Sequence, residues 1–111
     1  MQNILSLIEF KKQLEEHERV ALLLYDPETE LSRLAFRNIT EVTYLNDSPP
    51  VFVVDVNEVS DIQSHYQLAE IPSLLFFVKS KLVDVVKGNS ESDLVKALFS
   101  HEFFNHENEI K

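Results

Sequence analysis

The sequence contains no cysteine and no tryptophan, and its single glycine is Gly88. Without cysteine, the chain has no disulfide bond, no thiolate zinc site, no iron–sulfur cluster and no thiol nucleophile. One glycine is too few for a P-loop or a GxGxxG loop, which need several glycines where the backbone approaches phosphate. The sequence therefore excludes several large classes of cofactor-dependent and thiol-dependent enzymes.

Basic residues are scarce relative to acidic ones. Lys and Arg number 10 against 19 Asp and Glu, which gives a formal net charge of −9. Because nucleic-acid binding depends mainly on Lys and Arg that neutralise phosphates, the sequence predicts no nucleic-acid partner. The charge is spread along the chain, a pattern typical of a surface that limits self-association.

Long hydrophobic runs are also missing. No stretch approaches the roughly 18 apolar residues of a membrane span, and Met1–Ser6 lacks the features of a signal peptide. We therefore expect no membrane partner and a cytoplasmic location. The chain has 111 residues, of which 44% are hydrophobic. This size predicts a single domain, with a core of about residues 4–100 and a tail of about residues 101–111.

Capping signals predict where the first two helices begin. Ser6 and Glu9 form a capping box, with Leu5 and Phe10 as a hydrophobic staple, and begin a helix of about ten residues. Asp26–Pro27 predicts a second helix start, with the aspartate as cap and the proline in the first helical position. The spacing of apolar residues continues this second helix to about residue 45.

Two short, continuous apolar runs, residues 20–25 and 51–56, predict strands that are buried on both faces. Two further strands are predicted at residues 73–78 and 82–86, and the remaining helices are residues 57–66 and a helix that starts at about residue 90. The last two strands flank Lys79–Lys81 and form an antiparallel hairpin. Two strands with helical crossovers, followed by a hairpin and a helix, indicate a three-layer α/β domain.

From Val51 to Phe99 the chain resembles thioredoxin. Four segments carry the resemblance: Val54–Asn57, His65–Leu68, Ile71–Phe77 and Val86–Leu94, the third of which is similar to the family's "I-P-T-L-x-x-F". The resemblance implies a thioredoxin-like three-layer α/β/α sandwich with a mixed four- or five-stranded sheet. It also implies that Pro72 is cis, as the proline at this place is in the family.

The resemblance fails where the family carries its Cys-x-x-Cys pair. Those two positions fall on Thr29 and Ser32, so both sulfurs are replaced by hydroxyls. A hydroxyl at a helix start neither ionises usefully nor forms a disulfide. The family's buried acid is also absent from Leu22–Leu24. The sequence therefore predicts no autonomous dithiol chemistry, no catalytic residue, no metal and no cofactor.

The resemblance also implies a candidate peptide-binding groove. Tyr25 lies where the family often has an aromatic residue, and the backbone of Ile71, before Pro72 and Ser73, is expected to pair with an extended peptide. Thr29 and Ser32 either hydrogen-bond in this groove or cap the helix. Tyr25 either lines it or packs on the core.

Three functions remain open from the sequence. The first is a redox-inactive domain that binds a protein or peptide partner as an adapter or chaperone-like module. The second is a thioredoxin-type thiol–disulfide oxidoreductase whose cysteines were lost or replaced. The third is a structural oligomerisation module that uses the hairpin edge or Phe103–Phe104 in the tail. We expect a monomer or a weak homodimer.

Overall fold

A computed structural model of the chain describes residues 1–45, 50–88 and 93–100. Within these ranges the chain forms one mixed five-stranded sheet and four helices. The strands are β1 (Gln2–Asn3), β2 (Arg19–Tyr25), β3 (Val51–Asp55), β4 (Ser73–Val78) and β5 (Lys81–Lys87). The helices are α1 (Leu7–Glu16), α2 (Glu30–Leu45), α3 (Asp61–His65) and α4 (Asp93–Ser100). Of the described helices, none has the length and apolarity that crossing a bilayer requires.

The order of strands across the sheet is β1-β3-β2-β4-β5. Strands β1, β3 and β2 run parallel, whereas β4 is antiparallel to both β2 and β5. Leu24 lies opposite Ser73, and Tyr25 lies opposite Asp55. The carboxyl ends of β2 and β3 therefore meet the start of β4 at one end of the sheet, which we call the Pro72 end.

Apolar side chains form one cluster on each face of the sheet. Because successive side chains of a strand point to opposite faces, β2 contributes Leu22 and Leu24 to one cluster and Ala21 and Leu23 to the other. Helices α1 and α3 cover the first cluster, and α2 and α4 cover the second. The predicted α/β/α sandwich is confirmed.

The start of α1 agrees with the capping prediction in part. The Ser6 Oγ accepts the Glu9 N–H at 3.1 Å, but the Glu9 carboxylate accepts from Leu5 N at 3.1 Å rather than from Ser6. The predicted staple is wrong. Leu5 is 67% exposed, whereas Phe10 is buried and packs edge-on against Phe77 with 5.1 Å between ring centroids.

Helix α2 begins three residues later than predicted. The Asp26 carboxylate accepts the N–H of Glu28 at 2.9 Å, and the Asp26 carbonyl accepts the N–H of Thr29 at 3.0 Å. The prediction that Asp26 caps the helix is wrong because this carboxylate is used in an Asx turn. Thr29 is the cap instead, since its Oγ1 accepts the N–H of Ser32 at 3.3 Å.

Two elements differ from the sequence prediction in extent. Strand β1 was not predicted, because two residues are too few to show a periodic pattern. Helix α3 is shorter than the predicted residues 57–66, because Asn57 and Glu58 lie in a turn where Asn57 N donates to the Asp55 carboxylate at 2.8 Å. The predicted helix start at residues 90–92 and the tail with Phe103 and Phe104 lie outside the described residues.

The β4–β5 loop lies at the opposite end of the sheet. Its two central residues, Lys79 and Ser80, have φ of 50° and 69°, as a type I′ hairpin turn requires. The Ser80 hydroxyl donates to the Leu14 carbonyl at 3.1 Å, and the N–H of Lys79 donates to the Glu18 carbonyl at 2.8 Å. These bonds join the hairpin to the end of α1 and the segment that follows it.

Candidate binding site at the Pro72 end

The six residues predicted for the groove all lie at the Pro72 end. Tyr25 ends β2, Thr29 caps α2, Ser32 lies in the first turn of α2, and Ile71–Ser73 leads into β4. The pairing of Leu24 with Ser73 sets the end of β2 beside the start of β4. The fold thus gathers two segments that are about 40 residues apart in sequence.

Thr29 and Ser32 have different surroundings. Thr29 is exposed, and its Oγ1 both donates to the Asp26 carbonyl at 3.2 Å and accepts the N–H of Ser32. The hydrogen bonds of its hydroxyl are therefore used in the turn after β2 and in the cap of α2. The side chain of Ser32 is fully buried, and its hydroxyl has no hydrogen-bond partner within the described ranges.

The segment before β4 is fixed at two points. Ser73 is buried, and its hydroxyl donates to the Glu70 carbonyl at 2.6 Å. The Ile71–Pro72 peptide bond is cis, and the Pro72 carbonyl accepts the N–H of Gly88 at 2.9 Å. Pro72 is buried, whereas Ile71 is half-buried. Only Ile71 of these three residues presents part of its side chain to the surroundings.

Gly88 is needed here for space. A Cβ at this position would lie 3.0 Å from Pro72 Cγ and 3.2 Å from Leu94 Cγ. The carbon atoms of the proline ring cannot move away independently, and Leu94 is fully buried. The one glycine of the chain therefore allows the end of β5 to pass close to Pro72.

Tyr25 packs on the core and also faces carboxylates. Its ring stacks on Phe36 with 4.9 Å between centroids. Burial raises the pKa of Tyr25 above its ordinary value, and the nearby charges of Asp55 and Glu58 raise the pKa further. The phenol is thus protonated at neutral pH and available for hydrogen bonding.

One side chain connects two loops beside Tyr25. The Asn57 amide donates to the Asp26 carboxylate at 2.7 Å and to the Glu28 carboxylate at 3.2 Å. Asn57 follows β3, whereas Asp26 and Glu28 follow β2. This amide was missed by sequence reasoning, because a contact between residues 31 positions apart leaves no local pattern.

A groove of about 470 Å³ lies at the opposite end, beside the end of α1 and the Lys79–Ser80 turn, and none of its lining residues belongs to the predicted site. Among the described residues, no group of three or more His, Asp or Glu side chains is arranged to hold a metal ion.

No family model matches the sequence, and no curated protein is significantly similar to it. Solved structures, by contrast, match over most of its length. Plasmodium falciparum thioredoxin is 18% identical with a TM-score of 0.82, and the match covers 91% of this chain and 99% of that one. Fasciola hepatica thioredoxin is 16% identical with a TM-score of 0.81 over the same two shares. Malassezia sympodialis thioredoxin is 24% identical with a TM-score of 0.75, covering 91% of this chain and 90% of that one. The chain therefore has the thioredoxin fold and carries it without a single cysteine.

Proposed function

We propose that this chain is a redox-inactive thioredoxin-fold domain that binds an extended segment of a protein partner at the Pro72 end, as an adapter or chaperone-like module. A chain without cysteine forms no disulfide with a partner and transfers no electrons through a dithiol. Its contacts with the partner are therefore non-covalent. Tyr25, Thr29, Ser32 and Ile71–Ser73 are the residues assigned to the site.

The observation that carries the proposal is the backbone of Ile71. Within the part of the chain that the structure describes, neither the N–H nor the carbonyl of Ile71 forms a hydrogen bond. Every backbone N–H and carbonyl is a strong hydrogen-bonding group, so an unpaired donor and acceptor at the end of a sheet can pair with another chain. An extended segment supplies both partners by strand addition.

The neighbouring residues limit this pairing to Ile71. Pro72 has no N–H, and its carbonyl is already bonded to Gly88. The Glu70 carbonyl already accepts a hydrogen bond from the Ser73 hydroxyl. One residue of backbone pairing gives little affinity alone, so side-chain contacts beside Tyr25 and Ile71 must supply most of the binding free energy.

A selection of short random peptides displayed on phage tests the proposal. The peptides recovered with the wild-type domain are synthesised, labelled, and measured by fluorescence anisotropy against wild type, Pro72→Ala and Pro50→Ala. Pro50 is the matched control, because it is a half-buried proline at the opposite end of the sheet. We expect Pro72→Ala to weaken binding about tenfold or more, as loss of a central contact does, and Pro50→Ala to leave binding unchanged.

Amide chemical shifts on the wild-type domain keep the proposal testable if Pro72→Ala does not fold. A bound peptide should shift the amide signals of Ile71 and Thr29. Shifts confined to the groove beside the Lys79–Ser80 turn would contradict the proposal. Equal affinity of all three folded proteins would also contradict it.

A further inference from the structure

Six carboxylates belong to segments that meet at the Pro72 end. They come from the loops after β2 and β3, from the first turn of α2 and from the segment before Pro72. They are Asp26, Glu28, Glu30, Asp55, Glu58 and Glu70. We call this set the acidic rim.

Two of the described basic side chains contact the segments that carry the acidic rim. Lys87 pairs with the rim carboxylate of Glu70 at 2.8 Å. Arg33 donates from Nη1 to the neutral Pro27 carbonyl at 2.8 Å, so its positive charge remains. The amide of Asn57 is neutral, so its hydrogen bonds hold Asp26 and Glu28 in place without cancelling their charge. Because the carboxylates of the rim outnumber these two bases, the rim keeps an excess of negative charge.

This charge reaches the proposed site. Asp55 and Glu58 both contribute to the raised pKa of Tyr25, whose ring lies in the site. Asp55 is also the partner of Tyr25 in the β2–β3 register. Tyr25, a side chain that would contact a bound segment, is thus close enough to feel the charge of the rim.

We infer, on the basis of the function proposed above, that the segment bound beside Ile71 is basic, with Lys or Arg side chains that face the acidic rim and apolar side chains that contact Tyr25 and Ile71. Positive charge on the partner complements the rim and accelerates encounter. A second copy of this chain fits poorly, because each copy carries a net charge of −9 and like charges oppose association. An acidic segment would meet the same repulsion at close range.

Three labelled synthetic peptides test the inference. They share alternating valines, and the intervening residues are lysine, glutamine or glutamate. In fluorescence anisotropy we expect the lysine peptide to bind about tenfold more tightly than the glutamine peptide at about 20 mM salt, and the ratio to fall toward about twofold at about 500 mM salt, where exposed charges are screened. The glutamate peptide should bind most weakly.

Two double variants distinguish the effect of the acidic rim on peptide preference from the effect of the net charge of the chain. Glu28→Gln with Glu58→Gln neutralises two exposed rim carboxylates, and Gln at position 28 keeps an oxygen that can accept from Asn57. The matched control is Glu15→Gln with Glu16→Gln, which removes the same charge from the exposed face of α1. We expect the rim variant to lose most of the preference for lysine, by about threefold or more, and the control to retain it.

Each alternative result has a distinct meaning. If the three peptides bind equally and shift the Ile71 amide, the inference is overturned and the proposed function stands. If both double variants lose the preference equally, net charge rather than the rim is responsible, and the inference is again overturned. If no peptide shifts the Ile71 amide, the proposed function fails and the inference fails with it.

Discussion

At the scale of single residues, the Pro72 end contains two buried serines whose hydroxyls differ in hydrogen bonding. Ser73 is 1% exposed and its hydroxyl is bonded to the Glu70 carbonyl. Ser32 is 0% exposed and its hydroxyl is without a partner in the described ranges. A buried hydroxyl without a partner costs about 1–3 kcal/mol of desolvation. The two serines should therefore respond differently to removal of the hydroxyl.

We predict that Ser32→Ala leaves the free energy of unfolding unchanged or raises it by up to about 1 kcal/mol, because it removes an unpaired polar atom and improves helix propensity. Ser73→Ala should lower the same quantity by about 1–2 kcal/mol, because the Glu70 carbonyl loses its donor. Urea unfolding followed by circular dichroism measures both. A loss in Ser32→Ala as large as in Ser73→Ala would show that the Ser32 hydroxyl is bonded.

Tyr25 gives a prediction about alkaline pH. Its pKa is raised first by burial and then by Asp55 and Glu58, whereas burial alone raises the pKa of Tyr66. An unfolded tyrosine ionises near pH 10, so the folded state holds these protons more tightly. Stability from this difference is fully present below about pH 10 and is lost as pH rises through the folded pKa values.

Removing the charge of Glu58 distinguishes the effect of burial on the pKa of Tyr25 from the effect of the neighbouring carboxylates. We expect Glu58→Gln to lower the pKa of Tyr25 but to leave it above the ordinary value, because burial persists. Tyr66 serves as the internal control, and its pKa should not change. Titration of ring carbon chemical shifts by NMR measures both tyrosines in one sample, and an equal shift of the two pKa values would contradict the assignment of causes.

At the scale of elements, local chemistry explains α1 and does not explain the start of α2. The Ser6–Glu9 pattern predicts α1 because its donors and acceptors lie within one turn. The Asp26–Pro27 pattern fails because the same aspartate forms an Asx turn with Glu28 and receives a hydrogen bond from the distant Asn57. The buried strands are predictable because continuous apolar runs suit only the interior of a covered sheet.

The contact between the end of β5 and Pro72 gives a prediction at this scale. Gly88→Ala should lower the free energy of unfolding by about 1–3 kcal/mol, because the added methyl group overpacks a close contact. Leu94→Val should lower it by itself but should partly rescue Gly88→Ala, since valine lacks the Cδ1 atom that lies 3.3 Å from the added methyl group. A thermodynamic cycle from chemical denaturation measures this coupling. Purely additive effects would show that the methyl group is accommodated elsewhere.

At the scale of the whole molecule, the fold was predictable from the sequence, but the site was predictable only as a set of positions. Ile71, Thr29 and Tyr25 follow from the resemblance. Their surroundings depend on contacts between distant segments, such as the bond from Asn57 to Asp26 and the packing of Gly88 on Pro72. Such contacts have no periodic signal along the chain, so the acidic rim emerges only when β2 and β3 are placed side by side.

Strand β5 is one of the two edge strands of the sheet and carries a charged residue that opposes pairing between copies of the domain. In β5, Asp84 is exposed and its carboxylate accepts the N–H of Val85 at 2.9 Å, while Val83 is 51% exposed. Two β5 strands that paired antiparallel about position 84 would set these carboxylates opposite each other, which is unfavourable. A charged residue on an edge strand is a common protection against such pairing.

We therefore predict a wild-type monomer and a self-associating Asp84→Val variant. Analytical ultracentrifugation over a dilution series should show a concentration-independent mass for wild type and a rising mass for the variant at about 100 μM. Glu41→Val is the matched control, because it makes the same exchange at an exposed position of α2. Equal association of the two variants would assign the effect to added hydrophobicity alone.

The Asn57 side-chain amide, which joins the two loops beside Tyr25, can be lost by deamidation. Hydrolysis of the Asn57 side chain to aspartate would replace its donor group with an acceptor that faces the carboxylates of Asp26 and Glu28. Both hydrogen bonds would be lost, and a third negative charge would enter the junction. The backbone bond from Val56 N to the Tyr25 carbonyl at 3.0 Å would still join the two segments. Deamidation at this exposed residue would thus remove the side-chain link between the loops and add repulsion beside Tyr25, so the age of a preparation would change the charge of the site without any change in the encoded sequence.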